Sequence, residues 1–211
     1  MDVLIAGGHG QIARRLIRIL AGHGDHPRGL IRNPDHAADL EADGGVPILC
    51  DLEHDDPRPH VGAADAIVFA AGAGPGSGPE RKQTVDLGAA VKCIDAAREL
   101  GVDRFVIVSS IGAHDPAAGG PMQPYLEAKA AADDALRASG LSWTIVKPGS
   151  LTNEPGNGTV ELSTALGRRG PVSRDNVALT LFHVLGADNT IRKEFELFDG
   201  PTSVEEAVRA L

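Results

Sequence analysis

Short apolar runs and longer stretches of helical periodicity alternate along almost the whole chain. The first run, 3–6, is Val-Leu-Ile-Ala, with the length and branching of a buried parallel strand. Glycines follow at 7, 8 and 10, and Ile12, Leu16, Ile17 and Leu20 then recur at the spacing of one helix face. Further strands are expected over 28–31, 46–50, 64–71, 104–109 and 142–147, the run at 104–109 being almost wholly apolar and therefore central. Helical stretches over 35–43, 80–100 and 122–139 separate them, the last stopped by Gly140. Strands joined by helical crossovers predict an α/β fold, a doubly wound parallel sheet covered on both faces.

Beyond residue 150 the pattern loosens. It leaves a short strand at 159–162, a helix at 175–185, a strand at 194–198 and a final helix at 203–211 opened by Ser203 with Glu206 three residues on. No repeat or linker interrupts the 211 residues, so one domain is expected, with 150–211 as a small substrate-side cap within it.

Charge and cysteine usage narrow the function classes. A net charge of −9 without a basic stripe argues against nucleic acid as a partner. Cys50 and Cys93 sit in apolar segments with no metal-ligand spacing, as expected of buried thiols in a reducing compartment; no metal is expected. No apolar run approaches ~20 residues, so no membrane span is expected. Met1-Asp2 runs directly into the first strand, leaving no signal peptide in view, and a cytoplasmic location is the expectation.

Ligands of such sheets bind outside the carboxyl ends of the strands, and the suggestive residues fall there. Gly7 can turn the chain tightly and Gly10 can let a diphosphate approach the backbone. The amides at Gln11 and Ile12 open a helix whose positive end suits an anion, and Ala13 is small enough for close packing. The spacing Gly-x-x-Gly-x-x-Ala also fits a tight strand-to-helix turn in any α/β protein. Arg32, ending the second strand where an acid would bind a ribose 2′-hydroxyl, suits a 2′-phosphate, with His9 as a second donor; a plain surface arginine is the alternative. This favours NADP(H), with NAD(H) possible. Asp51 and Leu52 after the third strand are placed to touch an adenine or to form an ordinary loop. Ala70, Ala71 and Gly72 after the fourth are small enough for backbone to pass close to a ligand.

Tyr125 and Lys129, four apart at the start of a helix, face one side. A lysine ammonium beside a phenol favours the phenolate and so suits general acid–base work, and the chain has no other tyrosine. Ser109 and Ser110, ending the fifth strand, offer a hydroxyl to a substrate carbonyl. Packing of the tyrosine on the sheet beside a solvated lysine would give the same pattern.

In this order the motifs resemble the short-chain dehydrogenase/reductase superfamily, in its compact, atypical NAD(P)H-binding members that look like truncated sugar epimerases. The resemblance runs from the glycine turn at 7–13 through Arg32, Asp51-Leu52, Ala70-Ala71-Gly72, the run 105–110 and Tyr125-x-x-x-Lys129 to Lys147-Pro148-Gly149. It implies a Rossmann-type domain binding a nicotinamide cofactor. Lys129 would hold the nicotinamide ribose, Tyr125 would be the acid/base, a serine near Ser110 would orient a carbonyl, and Pro148 would lie beside the nicotinamide. Lys82 and Asp86 would be cofactor-side, substrate-side or solvated. The superfamily's serine sits a residue or two further on, where this chain has Ile111-Gly112, so Ser110 is a candidate only. Two functions follow from the resemblance. One is an NADP(H)-dependent oxidoreductase acting on a small carbonyl or alcohol, epimerase- or dehydratase-like in its relation to substrate. The other is a non-catalytic sensor of cofactor redox state. Specificity is expected to lie in the loops 72–79 and 112–123 and in the tail, and no feature sets an oligomeric state.

Overall fold

Successive residues of the central strands serve opposite faces of one sheet. In β1 (Asp2–Ala6), Val3 and Ile5 join one hydrophobic core while Leu4 and Ala6 join another. The alternation repeats further along the chain. Ala66, Val68, Val106 and Val108 enter the first core, and Ile67, Phe69, Phe105 and Ile107 enter the second. Strands buried on both sides require helices on both sides, which is why the apolar runs lack polar alternation.

The computed structural model describes residues 1–74, 76–115 and 120–211. From β1 the chain passes through α1 (Gln11–Gly22), β2 (His26–Ile31), α2 (Ala37–Ala42), β3 (Val46–Leu49), α3 (Arg58–Val61) and β4 (Ala66–Phe69). A helix then runs as α4 (Pro79–Arg81), a π-helical segment (Lys82–Ala89) and α5 (Ala90–Leu100), leading to β5 (Arg104–Val108), α6 (Gln123–Ala138) and β6 (Ser142–Pro148). After these come β7 (Ser150–Thr152), β8 (Thr159–Ser163), β9 (Pro171–Ser173), α7 (Arg174–Leu185), β10 (Lys193–Asp199), β11 (Thr202–Ser203) and α8 (Val204–Arg209).

The main sheet has the order β11-β8-β10-β6-β5-β4-β1-β2-β3. From β10 to β3 every pairing is parallel, and β8 and β11 add antiparallel strands at one edge. The strand order reverses between β1 and β4, opening a crevice at their carboxyl ends. The fold is the expected Rossmann-type doubly wound sheet. Residues 150–211 mostly extend this scaffold. β10 lies parallel to β6, and Val177, Leu181, Val184, Phe195 and Leu197 are buried in the first core. Ser150, Leu151 and Arg169 are the members of that segment that reach the crevice.

Three expectations differ in detail. β4 spans Ala66–Phe69 rather than 64–71, because Ala70 and Ala71 leave the sheet to border the crevice. The helix expected over 35–43 opens as a 3-10 turn, Pro34–His36, whose start is capped by the Asn33 side chain accepting from Asp35 N–H at 3.0 Å. The helix expected over 80–100 is interrupted by the π segment, a rare distortion concentrated at functional sites. Within the loops expected to set specificity, residues 75 and 116–119 lie outside the described residues. Cys50 and Cys93 are buried, and burial pushes their thiols up to about 11 and about 12, so both stay protonated at neutral pH.

Gly7 joins the two halves of the crevice. Its φ is +80°, and a Cβ there would lie 2.6 Å from Ala71 Cα, so only glycine lets the loops after β1 and β4 meet. Gly24 shares the left-handed backbone (φ +81°) but has open space around it. Gly24→Ala should therefore cost about 1 kcal/mol of strain alone, and Gly7→Ala roughly 2–4 kcal/mol of strain plus clash. Urea unfolding midpoints of the two variants measure the difference.

Candidate active site

The crevice contains a cavity of about 840 Å³. It runs from Ile12 and Ala70–Gly72 at one end to Tyr125, Pro148, Leu151 and Arg169 at the other. At the first end Gly8 N–H donates to Leu30 O and Gly10 N–H to Gly7 O, both at 2.8 Å, which fixes the turn. No side chain among the described residues caps α1, and its first turn holds no acidic residue. The amides opening α1 are thus left at a positive helix end suited to an anion, and Ile12 of that end lines the crevice.

The other residues expected around an adenosine surround this turn without lining the cavity. His9 Nε2 lies 2.7 Å from Asp39 Oδ2, and its ring stacks on His36 with centroids 3.5 Å apart. The His9 hydrogen bond holds the Asp39 carboxyl below the usual range. Arg32 is exposed just past β2, and no carboxylate pairs with it among the described residues. Asp51 accepts from Glu53 N–H at 3.1 Å in a local turn, and Leu52 is buried in the second core. The structure therefore gathers Ile12, Ala70, Ala71, Gly72, Ser110, Tyr125, Lys129 and Pro148 around the cavity. It leaves Gly7, His9, Gly10, Gln11, Arg32, Asp51 and Leu52 outside the lining.

At the far end α6 presents Tyr125 and Lys129 one turn apart. Lys129 is 4% exposed; its ammonium donates to Val108 O at 3.0 Å and lies 5.9 Å from the Tyr125 ring centre. Asp86, fully buried on the π segment, brings Oδ1 to 3.6 Å from that ammonium and accepts from Ala73 N–H at 3.2 Å through Oδ2. Asp86 Oδ1 makes no hydrogen bond among the described residues, so a buried acceptor is left open at the cavity wall beside Lys129. The uncapped amides at one end and this acceptor at the other fit a dinucleotide laid across the carboxyl ends of the strands. Lys129 and Asp86 would meet the hydroxyls of its second ribose.

The two serines divide. Ser109 is buried and donates to Asp133 Oδ2 at 2.8 Å, whereas Ser110 lines the cavity and donates to Ile111 O at 3.2 Å. Ser110 is thus the hydroxyl available to a ligand. Asp133 escaped the sequence reading although it continues the Tyr125–Lys129 face by one more turn; that spacing was the signal. Its carboxyl is fully buried, and burial pushes it up to about 6 against the opposing pull of the Ser109 bond and of Lys147, Lys129 and His114. Arg169, in the irregular stretch before β9, also went unnoticed, because no periodicity marks it.

A family model described as NAD(P)H-binding matches residues 7–188. The chain belongs to this NAD(P)H-binding family. It is an atypical member of the short-chain dehydrogenase/reductase superfamily, of the epimerase/dehydratase-like kind. The YhfK protein of Bacillus subtilis, described as an uncharacterised sugar epimerase, is 41% identical over 216 residues, covering 100% of both chains. The UPF0659 protein YMR090W of Saccharomyces cerevisiae is 32% identical over 227 residues, covering 100% of this chain and 99% of its own. A solved Bacillus halodurans structure, described as a candidate NAD-dependent epimerase/dehydratase, superposes with a TM-score of 0.96 at 36% identity, covering 100% of both chains. The family includes oxidoreductase- and epimerase-like proteins, and among the described residues no helix is long and apolar enough to cross a membrane.

A carboxyl raised from 3.8 to about 6 by burial binds its proton more tightly in the folded state. Its stabilising effect is therefore complete below pH ~4 and lost as pH rises through ~6. Asp133→Asn, which keeps an acceptor for Ser109, should be more stable than the parent at pH 8 by roughly 2–3 kcal/mol, with the gap closing below pH 4. Melting curves across pH 4–8 test this.

Proposed function

We propose that the protein is an NADP(H)-dependent oxidoreductase of the atypical short-chain type, reducing a small carbonyl compound or oxidising the matching alcohol. The carrying observation is the convergence of Tyr125, Lys129 and Ser110 on one cavity that begins at the uncapped amides of α1. The nicotinamide, when bound, supplies or accepts the hydride at the substrate carbon. Ser110 Oγ donates to the substrate oxygen and fixes its direction. The Tyr125 hydroxyl gives a proton to that oxygen on reduction, or takes one from the alcohol in the reverse direction. Lys129 is held in place by the Val108 carbonyl and Asp86, which keeps its ammonium 5.9 Å from the centre of the Tyr125 ring. Pro148 and Gly149 would lie beside the nicotinamide, and Met122 and Leu151 add apolar surface to the cavity lining. The preference for NADP(H) rests on Arg32, exposed just past β2 with no carboxylate partner among the described residues, a guanidinium suited to an adenosine 2′-phosphate.

Tyr125→Phe should lower kcat by about 10²–10⁴-fold while leaving NADPH affinity within about twofold of the parent. Turnover at the parental rate would remove the tyrosine from the chemistry. Arg32→Ala should weaken NADPH binding by about 10–100-fold and NADH binding little, as measured by calorimetric titration of each. Equal losses for the two cofactors would refute the 2′-phosphate assignment.

A further inference from the structure

The charges along the cavity are unbalanced. Its charged lining residues are Lys82, Asp86, Lys129 and Arg169, and the residues outside the described set, 75 and 116–119, are proline, alanine and glycine only. Asp86 and Lys129 face each other at 3.6 Å and cancel. Lys82 donates only to the carbonyl of Gly74, at 2.8 Å, and Arg169 has no carboxylate partner among the described residues. Two cations without an ion-pair partner among the described residues therefore line the crevice of a chain with a net charge of −9.

Their neighbours are committed elsewhere. Arg168 pairs with Glu161 and lies 4.8 Å over the Phe198 ring, and Lys147 is bound to Glu194 at 2.7 Å. Gly170 accepts the Ser150 N–H at 3.0 Å, tying the segment to the end of β6. Arg169 is thus held between two anchored residues and lines the wall shared with an adjoining cavity of about 460 Å³. Lys82 lies 5.4 Å from the centre of the Tyr125 ring. Lys82 sits beside Tyr125, and Arg169 precedes Gly170, which is tied to Ser150 at the end of β6, whereas a dinucleotide's diphosphate belongs at the α1 end beside Ile12.

We infer that the substrate is a carbonyl compound bearing a carboxylate. Arg169 grips the carboxylate through its guanidinium fork, and Lys82 adds positive potential beside Tyr125. The apolar body of the substrate lies against Ile111, Met122 and Leu151, and its carbonyl is presented to Tyr125 and Ser110. This assignment deepens the oxidoreductase reading and rests on the same cavity.

The test titrates the NADP⁺-saturated protein with benzoate and with its neutral isostere benzamide at low ionic strength, following heat and melting temperature. Benzoate should bind at least about tenfold more tightly, and Arg169→Gln should abolish that preference without changing NADP⁺ affinity. Equal binding of the two, no binding of either, or a preference that survives Arg169→Gln overturns the inference. A parallel assay with NADPH compares 4-formylbenzoate with its methyl ester. The acid should be favoured by about tenfold in kcat/KM, chiefly through KM, and Arg169→Gln should equalise the pair. If neither aldehyde is reduced although benzoate binds through Arg169, the oxidoreductase reading fails and the carboxylate site stands. If both are reduced equally, the reverse holds. Should NADP⁺ itself not bind, the cofactor assignment falls, and the same benzoate titration of the cofactor-free chain and its Arg169→Gln variant decides the site.

Discussion

A sheet buried on both faces has no room for unpaired polar groups along its strands, and this constraint governs where chemistry can occur. Val3 to Ala6, Ala66 to Phe69 and Phe105 to Ile107 are sealed between two cores, so their backbone groups pair within the sheet. Polar side chains are admitted where the strands end. At the carboxyl ends the reversal of strand order between β1 and β4 parts the loops, and the residues that can bind or transfer protons gather there. The left-handed turn at Gly7 keeps that opening narrow enough for one extended ligand to touch both its halves.

Polar groups that enter the protein beneath this opening do so in interlocking sets. Lys129 is nearly buried yet has a carbonyl and a carboxylate within reach, and that carboxylate, Asp86, is itself tied to the backbone of Ala73. One turn on, Asp133 holds Ser109. The face of α6 that carries Tyr125 is therefore backed by carboxylates at two levels. Charge buried at such a depth is tolerated because each member has an opposite charge or a donor close by. The π segment presents Asp86 to this set, at the expense of regular helix geometry between Lys82 and Ala89.

Much of this organisation was legible in the sequence because it depends on local pattern. The two-sided burial of Val3–Ala6 and Phe105–Val108 follows from uninterrupted apolar runs, and the Tyr125–Lys129 alignment follows from helical spacing. The glycine turn was legible since no other residue fits its backbone. What escaped depends on neighbours distant in the chain. Asp86 could as well be cofactor-side, substrate-side or solvated in a helix that seemed regular, and only packing of the π segment against α6 buries it. Ser109 and Ser110 are indistinguishable as letters, and pleat direction decides which meets Asp133 and which meets the cavity. Residues 159–211 carry weak periodicity because β8 and β11 are short, with β11 at the sheet's edge, yet β10 and α7 complete the first core. Arg169 has no pattern at all, and its placement depends on the anchoring of Arg168 and Gly170.

The opposite ends of the strands are stitched by buried or half-buried guanidinium groups. Arg104 reaches Ser142 O, Thr144 Oγ1, Val184 O and Thr190 Oγ1, while Arg28 joins Asp2 to the carbonyls of His60 and Val61. Burial pushes the Arg104 guanidinium down to about 10, still protonated at neutral pH, so the clasp persists across the ordinary range. These clasps tie neighbouring elements together at the pole remote from the ligand. Loops on the open side can therefore change length and composition without loosening the floor beneath them, which gives the scaffold the freedom to acquire new substrates one loop at a time.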